Sequence, residues 1–250
     1  MVKIDSRISY KLVIDTETCP LTKSNQVNPF NMFVYDIGWA IVDKRGKTYL
    51  TRSFINSQIF NEEKQLMKSA YYSNKLPQYY DDIKSGKREV KNYYAIRKAL
   101  LEDLKTFKVK EVYAHNARFD VGSLNNTLRW LTKSKYRFFF PKNLEICDTL
   151  KMSRSVIGNM STYKSFCEDN NFLTSNNQCR FTAEILYKFI TRDLNFTENH
   201  TGLEDVLIEK EILAYCYKQK KKMIKKLWDW KIPLFPILYK QYRWGRGYCL

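Results

Sequence analysis

Histidine is scarce in this sequence, with only two in 250 residues. The six cysteines, Cys19, Cys147, Cys167, Cys179, Cys216 and Cys249, are scattered and include no C-x-x-C pair. Together these shortages argue against a Cys/His zinc centre. The cysteines read as free thiols of a reducing compartment, so the expected location is cytoplasmic. The first ten residues, MVKIDSRISY, lack the apolar run of a secretory signal. The most apolar late stretch, IPLFPILY, is too short to span a bilayer and holds two prolines. A soluble chain with no membrane partner is expected. There is no internal repeat and no low-complexity linker. Acid is also in deficit, with Lys and Arg at 43 against Asp and Glu at 26, a net charge of +17. That excess favours a polyanionic partner, nucleic acid first and an acidic membrane surface second. A generally lysine-rich composition would give the same excess. Core-forming residues are plentiful. Hydrophobic residues at 44% and aromatics at 15% argue against global disorder.

Periodicity predicts an α/β fold. Residues 10–15 (YKLVID) read as a central strand and 33–43 (FVYDIGWAIVD) as a second. Lys44-Arg45-Gly46 reads as a turn into a third, TYLTRSFI. Residues 61–70 and 93–106 read as helices, the second with apolar Tyr94, Ile96, Leu100, Leu101 and Leu104. A short strand, EVYAHN, precedes a helix striped by Val121, Leu124, Leu128 and Leu131. A last strand, LEICD, runs into helix from Thr149. The expected sheet is mixed and five-stranded, three antiparallel strands followed by parallel crossovers, with helices on both faces. One domain over 1–216 is expected, with a basic, aromatic-rich extension over 217–250 packed on or beside it. The run KQKKKMIKK in that extension reads equally as a solvated helix end or as a nucleic-acid contact with stacking aromatics.

Three stretches carry acids where acids are costly. In KLVIDTETCP, strand alternation points Asp15 and Glu17 to the same side, at or just beyond the C-terminal end of an apolar strand. Open α/β sheets place ligand sites at such ends. Two adjacent carboxylates repel unless a proton or cation intervenes, and hard Mg²⁺ or Mn²⁺ suits oxygen ligands. In YAHNARFDVGSLN, Asn116 can cap a helix, and Asp120 begins the inward stripe that Leu124, Leu128 and Leu131 continue. In NHTGLEDVLIEKEIL, Thr201 and Glu204 have capping-box spacing. With Thr201 as N-cap, the positions that normally hold an apolar staple are His200 and Asp205, beside a stripe of Leu203, Val206 and Leu207.

Taken together, LVIDTET, AHNARFD and HTGLED resemble the DEDDh family of 3′–5′ exonucleases, which are ribonuclease-H-like. ICDTL and DIGWAIVD add to the likeness, which runs from about Tyr10 to Leu213. The pattern departs where Cys19-Pro20-Leu21 and a polar stretch over 22–31 follow the first motif, and where Gly202 stands in place of the common Ala. The resemblance implies a two-ion Mg²⁺ or Mn²⁺ enzyme with Asp15, Glu17, Asp120 and Asp205 as metal ligands and His200 as general base. Thr16, Asn116 and Phe119 are the implied contacts to the terminal nucleotide, and Asp148 is expected to cap a helix. The implied reaction is proofreading-type removal of 5′-mononucleotides from single-stranded or mispaired DNA 3′ ends, beside a polymerase or within a replication or repair complex. RNA 3′-end trimming is the alternative within enzymes, and a non-catalytic nucleic-acid-binding module is the alternative outside them.

Overall fold

The computed structural model describes residues 4–20, 32–68, 70–134 and 136–227. The polar stretch over 22–31 and the tail from 228 lie outside the described residues. Six strands form one sheet in the order β4-β3-β2-β1-β5-β6. They are β1 (Lys11–Pro20), β2 (Met32–Val42), β3 (Thr48–Asn56), β4 (Glu89–Lys91), β5 (Glu111–Ala114) and β6 (Glu145–Asp148). The first three form the expected antiparallel meander. β5 and β6 add in parallel to β1, as expected. The extra strand is β4, three residues paired in parallel with the end of β3. Its exposed, charged Glu89-Val90-Lys91 carries no strand-length apolar pattern from which to predict it.

Helices cover both faces. On one side α4 (Tyr93–Thr106) and α5 (Ala117–Thr132) bury Ile96, Leu100, Leu124 and Leu128 against Leu12, Ile14 and Trp39 of the sheet. On the other, α6 (Thr149–Val156), α7 (Ser161–Asp169), α8 (Ala183–Thr191) and α9 (Gly202–Lys218) pack against Val13, Ala40 and Tyr113. Val13 and Leu12 belong to opposite cores because strand side chains alternate. Of the helix expected over 61–70 only α2 (Lys64–Lys68) forms, preceded by α1 (Ser57–Phe60) and followed by α3 (Leu76–Lys84). These short helices close a third apolar cluster around Tyr35, Phe60 and Tyr79.

The basic run divides in two. Lys220, Lys221 and Lys222 are exposed, whereas residues 225–227 pair with β6. Asp148 N–H donates to Lys225 O at 2.7 Å, and Leu227 N–H to Ile146 O at 2.9 Å. The Lys225 ammonium binds Glu111, as does Lys11, and Lys226 pairs with Glu145 at 3.0 Å. Burial pushes Glu111 up, but these two lysines hold it below its usual range. Lys225 and Lys226 are therefore structural cations rather than free phosphate contacts.

Candidate active site

The site is built where β1 outruns its parallel neighbour. β5 pairs with β1 only from Lys11 to Val13, while β2 continues alongside β1 through Pro20. Asp15 and Glu17 thus lie inside a strand longer than the 10–15 expected. They sit opposite Gly38 and Asp36 of β2, with a bulge after Glu17. Alternation turns both toward the α9 face and leaves Thr16 on the α5 side. There the Thr16 hydroxyl donates to Asp120 Oδ1 at 2.8 Å. Asp120 reaches it because the chain turns sharply from β5 into α5 at Asn116, whose φ of +63° is left-handed. Asn tolerates that conformation better than most residues. Asn116 makes no side-chain cap; its N–H is instead accepted by Asp148 Oδ1 at 3.1 Å. Asp148 also caps α6 through Leu150 N–H, the role expected for it.

α9 brings the third motif to β1 because two glycines let backbones touch. A Cβ on Gly38 would fall on the Gly202 carbonyl and Leu203 nitrogen, and one on Gly202 would lie 2.8 Å from Gly38 N and 3.4 Å from Asp15 O. Asp36, wholly buried, accepts the Gly202 N–H at 3.0 Å and the Tyr79 hydroxyl at 2.8 Å. It is paired with Arg88, which also reaches Glu204 at 2.8 Å. Thr201 is the N-cap, yet its hydroxyl donates to Glu204 Oε2 at 2.7 Å instead of accepting a helix N–H. The capping box is lost because Arg88 and Lys87 draw the Glu204 carboxylate to themselves. Leu207 is exposed rather than part of the buried stripe.

His200 precedes α9 with φ +48°, a conformation costly for a non-glycine residue and frequent at functional sites. Its ring stacks on Tyr72 with centroids 4.5 Å apart and planes 12° apart. Lys75 binds the neighbouring Asn199 carbonyl and so ties down the same loop. His200 Nδ1 lies 3.9 Å from Glu198 Oε2. Burial and the Lys75 charge lower its pKa, which favours the neutral imidazole. The other histidine, His115, has Nδ1 3.0 Å from the Thr149 hydroxyl and Nε2 2.8 Å from the Phe181 carbonyl, so both nitrogens are occupied.

All eight residues singled out in the sequence line one cleft of about 1110 Å³, with Arg154 and Arg180 also in its wall. That volume exceeds the roughly 300–1,000 Å³ of ordinary small-molecule pockets. Carboxylate oxygens of Asp15, Glu17 and Asp205 lie within 4.8 Å of one another, and ligand atoms of Glu198, His200 and Asp205 form a second such set. Asp120 stands beside them through Thr16. Burial, then repulsion from neighbouring acids, raises Asp15 and Glu17 well above the usual carboxylate range. Burial takes Asp120 to about 7, and burial with repulsion from Glu198 and Glu204 takes Asp205 to about 8. Such acids ionise together only around cations. Two buried oxygens, Asp205 Oδ1 and Glu209 Oε2, have no hydrogen-bond partner. An all-oxygen donor set with unpartnered anionic atoms fits a hard divalent ion.

Three elements of the site escaped the sequence reading. Glu209 is buried, one turn beyond Asp205; the i, i+4 spacing was a visible signal. Glu198 lines the cleft, two residues before His200. The Asp36–Arg88 pair lies behind it; Asp36 is the sole charge in an otherwise buried strand, which hints at a partner but not which one.

No protein-family model matches the sequence, and no curated protein does. Solved structures do resemble the chain. The nuclease domain of 3′hExo, a DEDDh family member bound to rAMP, superposes with a TM-score of 0.59 at 12% identity, over 89% of this chain and 100% of that one. A 3′-exonuclease described for 3′-end-specific recognition of a histone mRNA stem-loop gives 0.55 at 10% identity, over 90% and 70%. E. coli Exonuclease I in complex with a dA16 oligonucleotide gives 0.50 at 13% identity, over 85% and 41%. Among the described residues no helix is long and apolar enough to cross a membrane. The mixed sheet, its crossovers and its helices on both faces are the fold of the DEDDh 3′-exonucleases.

Proposed function

We propose that the chain is a metal-dependent 3′–5′ exonuclease that releases nucleoside 5′-monophosphates from single-stranded or mispaired DNA 3′ ends. The observation that carries this reading is the convergence of Asp15, Glu17 and Asp205 oxygens within 4.8 Å, with His200 in the adjoining set. Asp15, Glu17 and Asp205 would hold one Mg²⁺ or Mn²⁺, and Asp15 with Asp120 a second. Divalent ions there would neutralise phosphate charge and lower the pKa of water. His200 acts as general base. Its lowered pKa favours the neutral ring, the Tyr72 stack fixes its ring plane, and Glu198 flanks Nδ1, so Nε2 is left to accept the proton of the attacking water. Thr16 and Asn116 contact the terminal sugar, and the half-buried Phe119 ring offers a face to the base. Arg154 and Arg180 are exposed on the cleft wall, where they meet phosphates of the strand that continues toward the 5′ end.

RNA trimming is a second reading, favoured by the likeness to the rAMP-bound nuclease domain. The metal chemistry is indifferent to the sugar, and discrimination rests on contacts to the 2′-hydroxyl. The test is degradation of 5′-labelled single-stranded DNA, single-stranded RNA and mispaired duplex with Mg²⁺, with chelator and a closed single-stranded circle as controls. A stepwise ladder from the 3′ end, 5′-mononucleotide product and an intact circle are expected. Chelator-resistant activity, or rapid nicking of the circle, refutes the proposal.

A further inference from the structure

We infer that Glu209 is a fifth carboxylate of the metal centre, an anionic ligand on α9 one turn beyond Asp205. The inference rests on the metal-dependent reading above. Residues four apart share a helix face, so Asp205 and Glu209 lie one above the other beside β1. Glu209 is 2% exposed, lines the same cleft as the other acids, and its Oε2 has no hydrogen-bond partner. A buried carboxylate with one bare oxygen is costly unless a cation meets it. Its other oxygen is fixed, because the His115 backbone N–H donates to Oε1 at 3.1 Å. A ligand carboxylate held in this way by a backbone donor is typical of metal sites.

Glu209 stands on the β5–α5 side of the cleft, because its carboxylate accepts the His115 N–H, between β5 and the helix that carries Asp120. It also links the metal centre to the start of the Ala114–Asp120 segment, since the same carboxylate anchors His115. The competing role is structural: Glu209 needed only to accept the His115 N–H.

Glu209→Gln separates the two roles, since glutamine retains an oxygen for the His115 N–H and removes the charge. Mn²⁺ binding is measured by calorimetry and by electron paramagnetic resonance on the full chain, with Asp15→Asn in parallel. Expected for Glu209→Gln is an Mn²⁺ affinity at least about 10-fold weaker, since even a group that only supports a ligand is worth about 10–100-fold. The metal-induced rise in melting temperature should shrink in this variant. Glu209→Asp, which keeps the charge but withdraws it by one methylene, should also bind Mn²⁺ more weakly. Loss of Mn²⁺ binding in Asp15→Asn with wild-type affinity and stoichiometry in both Glu209 variants overturns the inference and leaves the metal-dependent reading standing. Undiminished binding in Asp15→Asn as well overturns both.

Discussion

Replacing Gly38 by alanine is the sharpest test of how the catalytic geometry is held. A Cβ there would lie 2.5 Å from the Gly202 carbonyl oxygen, and would meet the Gly202 carbonyl carbon and Leu203 nitrogen as well. Ordinary contact begins near 3.4 Å, so β2 and α9 must separate by roughly 1 Å. All three obstructing atoms are backbone, so no rotamer change can absorb the overlap. Overpacking costs about 1–3 kcal/mol where side chains can adjust. Here the upper end applies, about 3 kcal/mol, or a fall of roughly 6–12 °C in melting temperature for a chain of this size. The displaced element carries Asp205, and β2 pairs directly with the strand that carries Asp15 and Glu17. A shift of about 1 Å in such a constellation costs on the order of 10²-fold in rate. Gly86→Ala is the control. Gly86 has φ +77° but no atom within 4 Å of an added Cβ, so only local backbone strain of about 1 kcal/mol is expected and activity should persist. Urea unfolding and exonuclease turnover of the two variants give the comparison. A Gly38→Ala protein with wild-type stability and rate would refute this account of the α9–β2 junction.

Metal-free stability should depend on pH in the direction opposite to the usual carboxylate pattern. Burial raises Asp120 to about 7 and, with repulsion from Glu198 and Glu204, Asp205 to about 8. The folded state thus binds protons that the unfolded chain releases. This contribution is full below the unfolded pKa near 4 and is lost as pH rises through 7 and 8. Melts in chelator should decline from pH 5 to 8, and saturating Mg²⁺ should remove the decline; a flat profile in chelator contradicts it. His200→Ala should cut turnover by about 10²–10⁴-fold while Mn²⁺ affinity stays near wild type; near-normal turnover at pH 7 removes His200 as base. Lys225→Ala should destabilise by about 1–3 kcal/mol through the loss of charged hydrogen bonds to Glu111 and the Tyr113 and Tyr217 hydroxyls. Neutralising Lys220, Lys221 and Lys222 should leave stability unchanged and flatten the salt dependence of substrate binding, as measured by fluorescence anisotropy.

Much of the site was legible because local periodicity carries it. Asp15 and Glu17 two apart on a strand, and Asp120 one turn before Leu124, mark acids on inward faces with no reference to tertiary structure. The His200–Asp205 spacing likewise survives folding, since Thr201 is the N-cap. What failed depended on partners distant in sequence. Glu204 had capping-box spacing, but Arg88, 116 residues earlier, takes its carboxylate. Lys225 and Lys226 read as part of a basic run that is either a solvated helix end or a nucleic-acid contact, but Glu111 and Glu145 hold them beside β6. β1 runs past the 10–15 expected because Asp15 and Glu17, of residue types depleted in strands, are held there by full pairing with β2.

The charge of the whole chain and the charge of the cleft have opposite signs, and both are needed. A net +17 attracts a polyanion and repels a divalent cation. Salt restricts that repulsion to a Debye length of about 8 Å at physiological ionic strength, so an ion entering the cleft responds mainly to the nearest groups. Those groups are Asp15, Glu17, Asp120, Asp205 and Glu209, all buried enough to be poorly screened. Without a cation, acids packed this tightly keep protons into the neutral range; around one, each ionised carboxylate adds to the pull by the same Coulombic term. Asp36 differs from them in having its own counter-charge, because Arg88 pairs with it directly while it anchors the Gly202 N–H. The sheet thus separates two kinds of buried acid within one turn of α9, one kind paired with an arginine and the other with no ion pair among the described residues.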